Sequence, residues 1–148
     1  MGGKPFPTMD LPVAGRNFMM QVHQLEHELS GMYPAIAHGA GLAALWPSWA
    51  RFTCPHDTER FARYGVNVWN LDMDFENPMN TALAGIRATE DFFVSLGMPS
   101  SLKELGVERE RLEEMAVKCT NMGTRTLPGI CVLGKEEMTE IYRMAMGE

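Results

Sequence analysis

Between Asn77 and Gly97 the chain reads NPMNTALAGIRATEDFFVSLG, and this stretch constrains its own backbone to one form. Leu83, Ile86, Phe93 and Leu96 recur at steps of three and seven, which lines them along one stripe of an α-helix. Asn77 is a favoured N-cap, Pro78 suits the first turn, and Gly97 suits the stop. The same period runs through most of the chain. Phe18, Val22, Leu25 and Leu29 predict a helix from Asn17 to about Gly31. AHGAGLAALWPSWARF is apolar nearly all round and predicts a helix buried on most faces, kinked or restarted at Pro47. Phe61, Tyr64 and Val68 share a stripe behind an N-cap at Asp57 or Thr58. PSSLKELGV predicts a turn with a short helical piece. ERERLEEMAVKCTNMG and GKEEMTEIYRMAM predict two more helices, the second capped near Gly134 with acidic residues in its first turn. Strict two-residue alternation is absent, and GICVL is the only short apolar run with β-branched character, so the predicted fold class is all-α.

Residues 1–15 carry Pro5, Pro7, Pro12, Gly2, Gly3 and Gly15 and predict an irregular arm, which leaves residues 16–148 as one helical domain. With 148 residues, 45% hydrophobic and 22% charged, the chain can bury an ordinary core. Its net charge of −6 argues against nucleic acid or an anionic membrane as partner, since both need clustered Lys and Arg. No apolar run approaches the roughly 18 residues a membrane span requires, and the opening residues lack a signal peptide's apolar centre. MGGKPF begins like an acylation site but has Phe6 where Ser or Thr is needed. Cys54, Cys119 and Cys131 are odd in number and form no C-x-x-C pair, which points to a reducing, cytoplasmic setting and to unactivated thiols. The 13 methionines read as flexible core fillers.

Three of the four histidines fall in VHQLEHELSGMYPAIAHG. His23 and His27 are one helical turn apart, about 6 Å between Cα atoms, so both rings can reach one cation without backbone strain. They lie roughly opposite the Val22, Leu25 and Leu29 stripe, with Ser30 beside them. His38 opens the next helix and joins them if the loop from Gly31 to Ala37 folds back. HQLEH also matches H-x-x-E-H, a zinc-hydrolase pattern. On that reading His23 and His27 are ligands, Glu26 the general base and Glu104 a distant third ligand; otherwise Glu26 is a solvated helix carboxylate. The hydrolase class needs a mixed α/β fold, which the pattern of apolar residues does not support.

HQLEHELSGMYPAIAHGAGLAALWPSWARF resembles the C-terminal helical domain of iron-containing alcohol dehydrogenases, in particular the butanol dehydrogenase subgroup. The likeness continues through HDTERFARYGVNVW, TALAGIRATEDFFVSLGMPSSLKELGV and EEMTEIYRMAM. It implies that His23 and His38 are metal ligands and that His27 lies beside the metal and nicotinamide as a proton relay. The implied cofactors are Fe(II) or Zn(II) and NAD(P), and the implied substrate is a primary alcohol or aldehyde. The interval from His27 to His38 is one residue longer, around YPAIA, than the family form.

The family's N-terminal α/β domain, which holds the dinucleotide and supplies an aspartate and a further histidine to the metal, has no counterpart here. Neither GGK at Gly2 nor HGAG at His38 has the flanking strand and helix of a phosphate cradle. The chain is therefore expected to be a truncated or split half enzyme, binding metal weakly, inactive alone, and completed by an N-terminal half or by homo-oligomerisation. A non-catalytic helical remnant or oligomerisation domain is the alternative from another class. Trp46, Trp49 and Trp69 are candidates for an exposed face or, by default, the core. Asp72, Asp74 and Glu76 lack the glycine and final glutamate of a calcium loop and read as linker and helix cap, and His56 reads as structural.

Overall fold

A computed structural model describes the backbone of residues 10–147 and the side chains of residues 20–147. Among them six helices follow in order: α1 (Asp10–Met32), α2 (His38–Thr53), α3 (Thr58–Trp69), α4 (Pro78–Ser95), α5 (Leu112–Cys119) and α6 (Lys135–Ala145). Single 3₁₀ turns cover Cys54–His56 and Arg109–Arg111. The fold is all-α, as the periodicity predicts. GICVL contributes to no strand among the described residues; the chain there makes one isolated bridge between Leu127 and Leu133. None of the described helices is long and apolar enough to cross a membrane.

α1 begins at Asp10 rather than Asn17, so part of the expected arm is helical. Pro12 falls in its first turn, where the missing N–H has no helical partner to lose. Residues 1–9 lie outside the described part of the chain, and with them the expectations at Phe6 and Gly2. Pro47 does not divide α2, which continues from His38 to Thr53.

The core is built from Leu25 and Leu29 of α1, Leu45 and Trp49 of α2, Phe61 of α3, Ile86 of α4, Met115 of α5, and Met138, Ile141 and Tyr142 of α6. Tyr142 docks α6 on α1 by donating its buried hydroxyl to the Leu25 carbonyl at 2.7 Å. Gln21 ties three segments: its Oε1 accepts from Trp49 Nε1 at 2.9 Å, and its Nε2 donates to the carbonyls of Leu127 (2.9 Å) and Cys131 (2.8 Å).

α3 and α4 form the most extensive helix pair, and glycine decides how closely they pack. A Cβ on Gly85 would stand 2.8 Å from the Gly65 Cα. The buried face of α4 is accordingly Thr81, Ala82, Gly85, Ile86 and Thr89, a stripe of mostly small side chains. Of the larger residues expected to be buried there, Leu83 and Leu96 are exposed, as is Val68 of α3. Close backbone approach rewards small residues, and the larger ones turn outward. The N-terminus of α4 also departs from expectation: Asn77 makes no side-chain cap, and Asp74 instead organises the turn that leads into the helix. Its Oδ1 accepts from the Glu76 and Asn77 amides and its Oδ2 from Asn80 Nδ2.

Candidate metal centre

The turn between α1 and α2 is short, closed by the Ile36 amide donating to the Tyr33 carbonyl at 3.0 Å. It returns His38, the first residue of α2, against α1. The rings of His23 and His38 stack with centroids 5.2 Å apart and 20° between planes. His27, one turn along α1, is exposed to solvent.

Glu26 is neither a solvated carboxylate nor placed as a hydrolytic base. It is fully buried, and its Oε1 lies 2.5 Å from His38 Nδ1. Ser30, one turn further along α1, donates its hydroxyl to Glu26 Oε2. Gly41 of α2 makes the space: a Cβ there would stand 2.5 Å from that same Oε2. Glu104, the other carboxylate of the hydrolase reading, accepts from the amide and hydroxyl of Ser100, at 2.6 and 2.8 Å. Those bonds hold its carboxyl below the usual carboxylate range. Among the described residues no three His, Cys, Asp or Glu side chains stand close enough to hold a metal ion together. The hydrolase ligand set is thus not assembled, whereas two stacked imidazoles are.

Beside this pair opens a cavity of about 600 Å³, with His23 in its wall. Val22, Leu42, Ala43, Trp46, Phe61, Phe93 and Met98 make most of the remaining lining. Its polar side chains include Tyr64 and Thr89, which bond to each other at 2.5 Å. Trp69 Nε1 also donates to Thr89 Oγ1 at 2.9 Å, and Thr89 Oγ1 donates to the Gly85 carbonyl at 3.0 Å. Arg60, also in the lining, is drawn to Asp57 at 2.9 Å. With those groups committed to one another, the space suits an apolar guest.

The thiols take no part in this site. Burial pushes Cys54, Cys119 and Cys131 upward, Cys119 to about 11, away from the reactive thiolate. Trp49 is fully buried while Trp46 and Trp69 are half-buried, and His56 is exposed in its 3₁₀ turn.

The model of the Fe-containing alcohol dehydrogenase family, C-terminal, matches residues 13–146. The chain belongs to this family. NADH-dependent butanol dehydrogenase B of Clostridium acetobutylicum is 37% identical over 134 residues, which are 89% of this chain and 34% of that protein. The 1,3-propanediol dehydrogenase of Citrobacter freundii is 30% identical over 127 residues, 84% of this chain and 31% of that protein. Among solved structures, NADH-dependent butanol dehydrogenase A of Thermotoga maritima superposes with a TM-score of 0.74 at 29% identity, over 84% of this chain and 32% of that one. The chain therefore spans about a third of the length of these iron-type alcohol dehydrogenases and corresponds to their helical C-terminal part.

The residue-level reading missed Glu26, Ser30 and Gly41 as a unit. The i, i+4 spacing of Glu26 and Ser30 was visible, but its meaning depends on α2, whose approach no local pattern encodes.

Proposed function

We propose that this chain forms the histidine-bearing part of a metal-dependent alcohol dehydrogenase that transfers hydride from NAD(P)H to an aldehyde, or from a primary alcohol to NAD(P)+. The observation that carries this reading is the stacked pair His23 and His38 beside an apolar cavity, in a member of this family. Imidazole donors suit Fe(II) and Zn(II) alike, so the residues present fit either ion. A four-coordinate site takes two donors more. In this reading they come from an N-terminal dinucleotide-binding half, which also carries NAD(P).

When bound, such an ion polarises the substrate oxygen, and NAD(P)H furnishes the hydride. His23 and His38 each supply one ring nitrogen. The cavity walls take the apolar remainder of the substrate and keep water from it. Reducing an aldehyde consumes one proton as well as one hydride, and His27, exposed one turn from His23, passes that proton between solvent and the site.

A second reading rests on Leu83, Phe92, Val94 and Leu96, which are exposed in and just after α4: a helical domain that associates without catalysis. One experiment separates the two. The chain is mixed with the separately produced dinucleotide-binding half of a butanol dehydrogenase and Fe(II) or Zn(II), and NADH oxidation by butyraldehyde is followed. The dehydrogenase reading expects turnover in the mixture, and its loss in His23→Ala and in His38→Ala. Absence of turnover, with self-association by sedimentation and zinc uptake indifferent to both substitutions, supports the associating domain.

A further inference from the structure

We propose that Glu26 is a positioning residue: its buried carboxylate accepts a hydrogen bond from His38 Nδ1–H and leaves Nε2 as the nitrogen that faces a metal. The inference rests on the reading of His38 as a ligand and assigns that ligand its orienting partner. A carboxylate ion has only acceptors, so as the partner of His38 Nδ1 at 2.5 Å it selects the tautomer with the proton on that nitrogen. The neutral imidazole then carries its lone pair on Nε2. Carboxylate partners of this kind set the tautomer and ring orientation of metal-binding histidines.

The surroundings are built around this contact. A carboxylate withdrawn from water is costly unless paired and hydrogen-bonded, and an apolar side chain would fill the same space at less expense. Here both oxygens are used, Oε1 on His38 and Oε2 on the Ser30 hydroxyl. Gly41 is fitted to the carboxylate as well, since a Cβ would come 2.8 Å from Glu26 Cγ and closer still to Oε2. His38 itself remains more than half exposed, so the buried carboxylate holds one nitrogen of a ring that a ligand can still reach.

The test uses the whole chain with its histidines labelled with ¹⁵N. Long-range ¹H–¹⁵N spectra, followed with rising pH until the ring signals no longer change, report which nitrogen bears the proton. The wild-type chain is expected to show His38 as the Nδ1–H tautomer. Glu26→Leu keeps the volume and removes the acceptor, and should move His38 toward the Nε2–H form. The affinity for Zn²⁺, titrated calorimetrically, should fall 10- to 100-fold in Glu26→Leu and also fall in His38→Ala. His38 in the Nε2–H form in the wild-type chain overturns the proposal, and this reading needs no variant to fold. Zinc affinity lowered by His38→Ala but untouched by Glu26→Leu overturns the positioning role alone. Affinity indifferent to His38→Ala overturns the ligand reading, and the proposal with it.

Discussion

Gln21 is buried in α1 with both amide hydrogens and its oxygen committed, to two loop carbonyls and to the Trp49 indole. Replacing it with Leu would remove all three hydrogen bonds at once. Gln21→Leu should therefore lose roughly 2–4 kcal/mol of stability, read from urea unfolding, with the loss concentrated where residues 127–131 meet α1. Gly129 belongs to the same arrangement, since a Cβ there would reach 2.5 Å from the Gln21 amide carbon. Cys119 gives a second prediction. Its thiol is buried and pushed up to about 11, mainly by desolvation with a smaller contribution from Glu28, so thiolate is scarce at neutral pH. A thiol-reactive disulfide reagent should leave Cys119 unmodified in the native chain and label it on unfolding; fast native labelling would contradict its burial. The histidine spacing was legible because positions four apart on a helix are neighbours by local geometry alone. The partners of Gln21 and Glu26 were not, because they depend on segments that only the tertiary fold brings together.

Helix existence was legible nearly everywhere along the chain, while faces and ends were less so. Periodicity counts large apolar residues, but α4 buries its small ones because Gly65 and Gly85 let two backbones approach closely. Adding one methyl at Gly85 forces that crossing apart. Gly85→Ala should cost about 1–3 kcal/mol despite the higher helix propensity of alanine, and a stabilised variant in thermal unfolding would contradict the close crossing. Asp74 gives a pH prediction at the same scale. Its hydrogen bonds from Asn80 and from the Asn77 and Glu76 amides hold its carboxyl below the usual carboxylate value. A group whose folded value is depressed contributes stability above its unfolded value, near 3.9, and loses it as pH falls through the folded value. The Glu76 and Asn77 amide resonances should therefore keep their hydrogen-bonded positions through the neutral range. They should shift only under strongly acidic conditions, and Asp74→Ala should displace them at every pH. Resonances that ignore the substitution would remove Asp74 as the acceptor that orders this turn.

At the scale of the whole molecule, the six helices of the described residues enclose one core and leave the His23 and His38 pair at the edge of an apolar cavity. The all-α class and the family were legible in the sequence, since both rest on period and on a motif contained in one stretch of chain. The cavity was not legible. Its wall takes residues from all of α1 to α4, and the commitment of Tyr64, Thr89 and Trp69 to one another emerges only when α3 meets α4. The central claim is that the two stacked imidazoles act together on one ion. X-ray absorption at the zinc edge, on the chain loaded with substoichiometric Zn²⁺, counts those imidazoles directly. The account predicts two histidine nitrogens at about 2.0 Å, falling to one in either His23→Ala or His38→Ala. A zinc environment that both substitutions leave unchanged would contradict it.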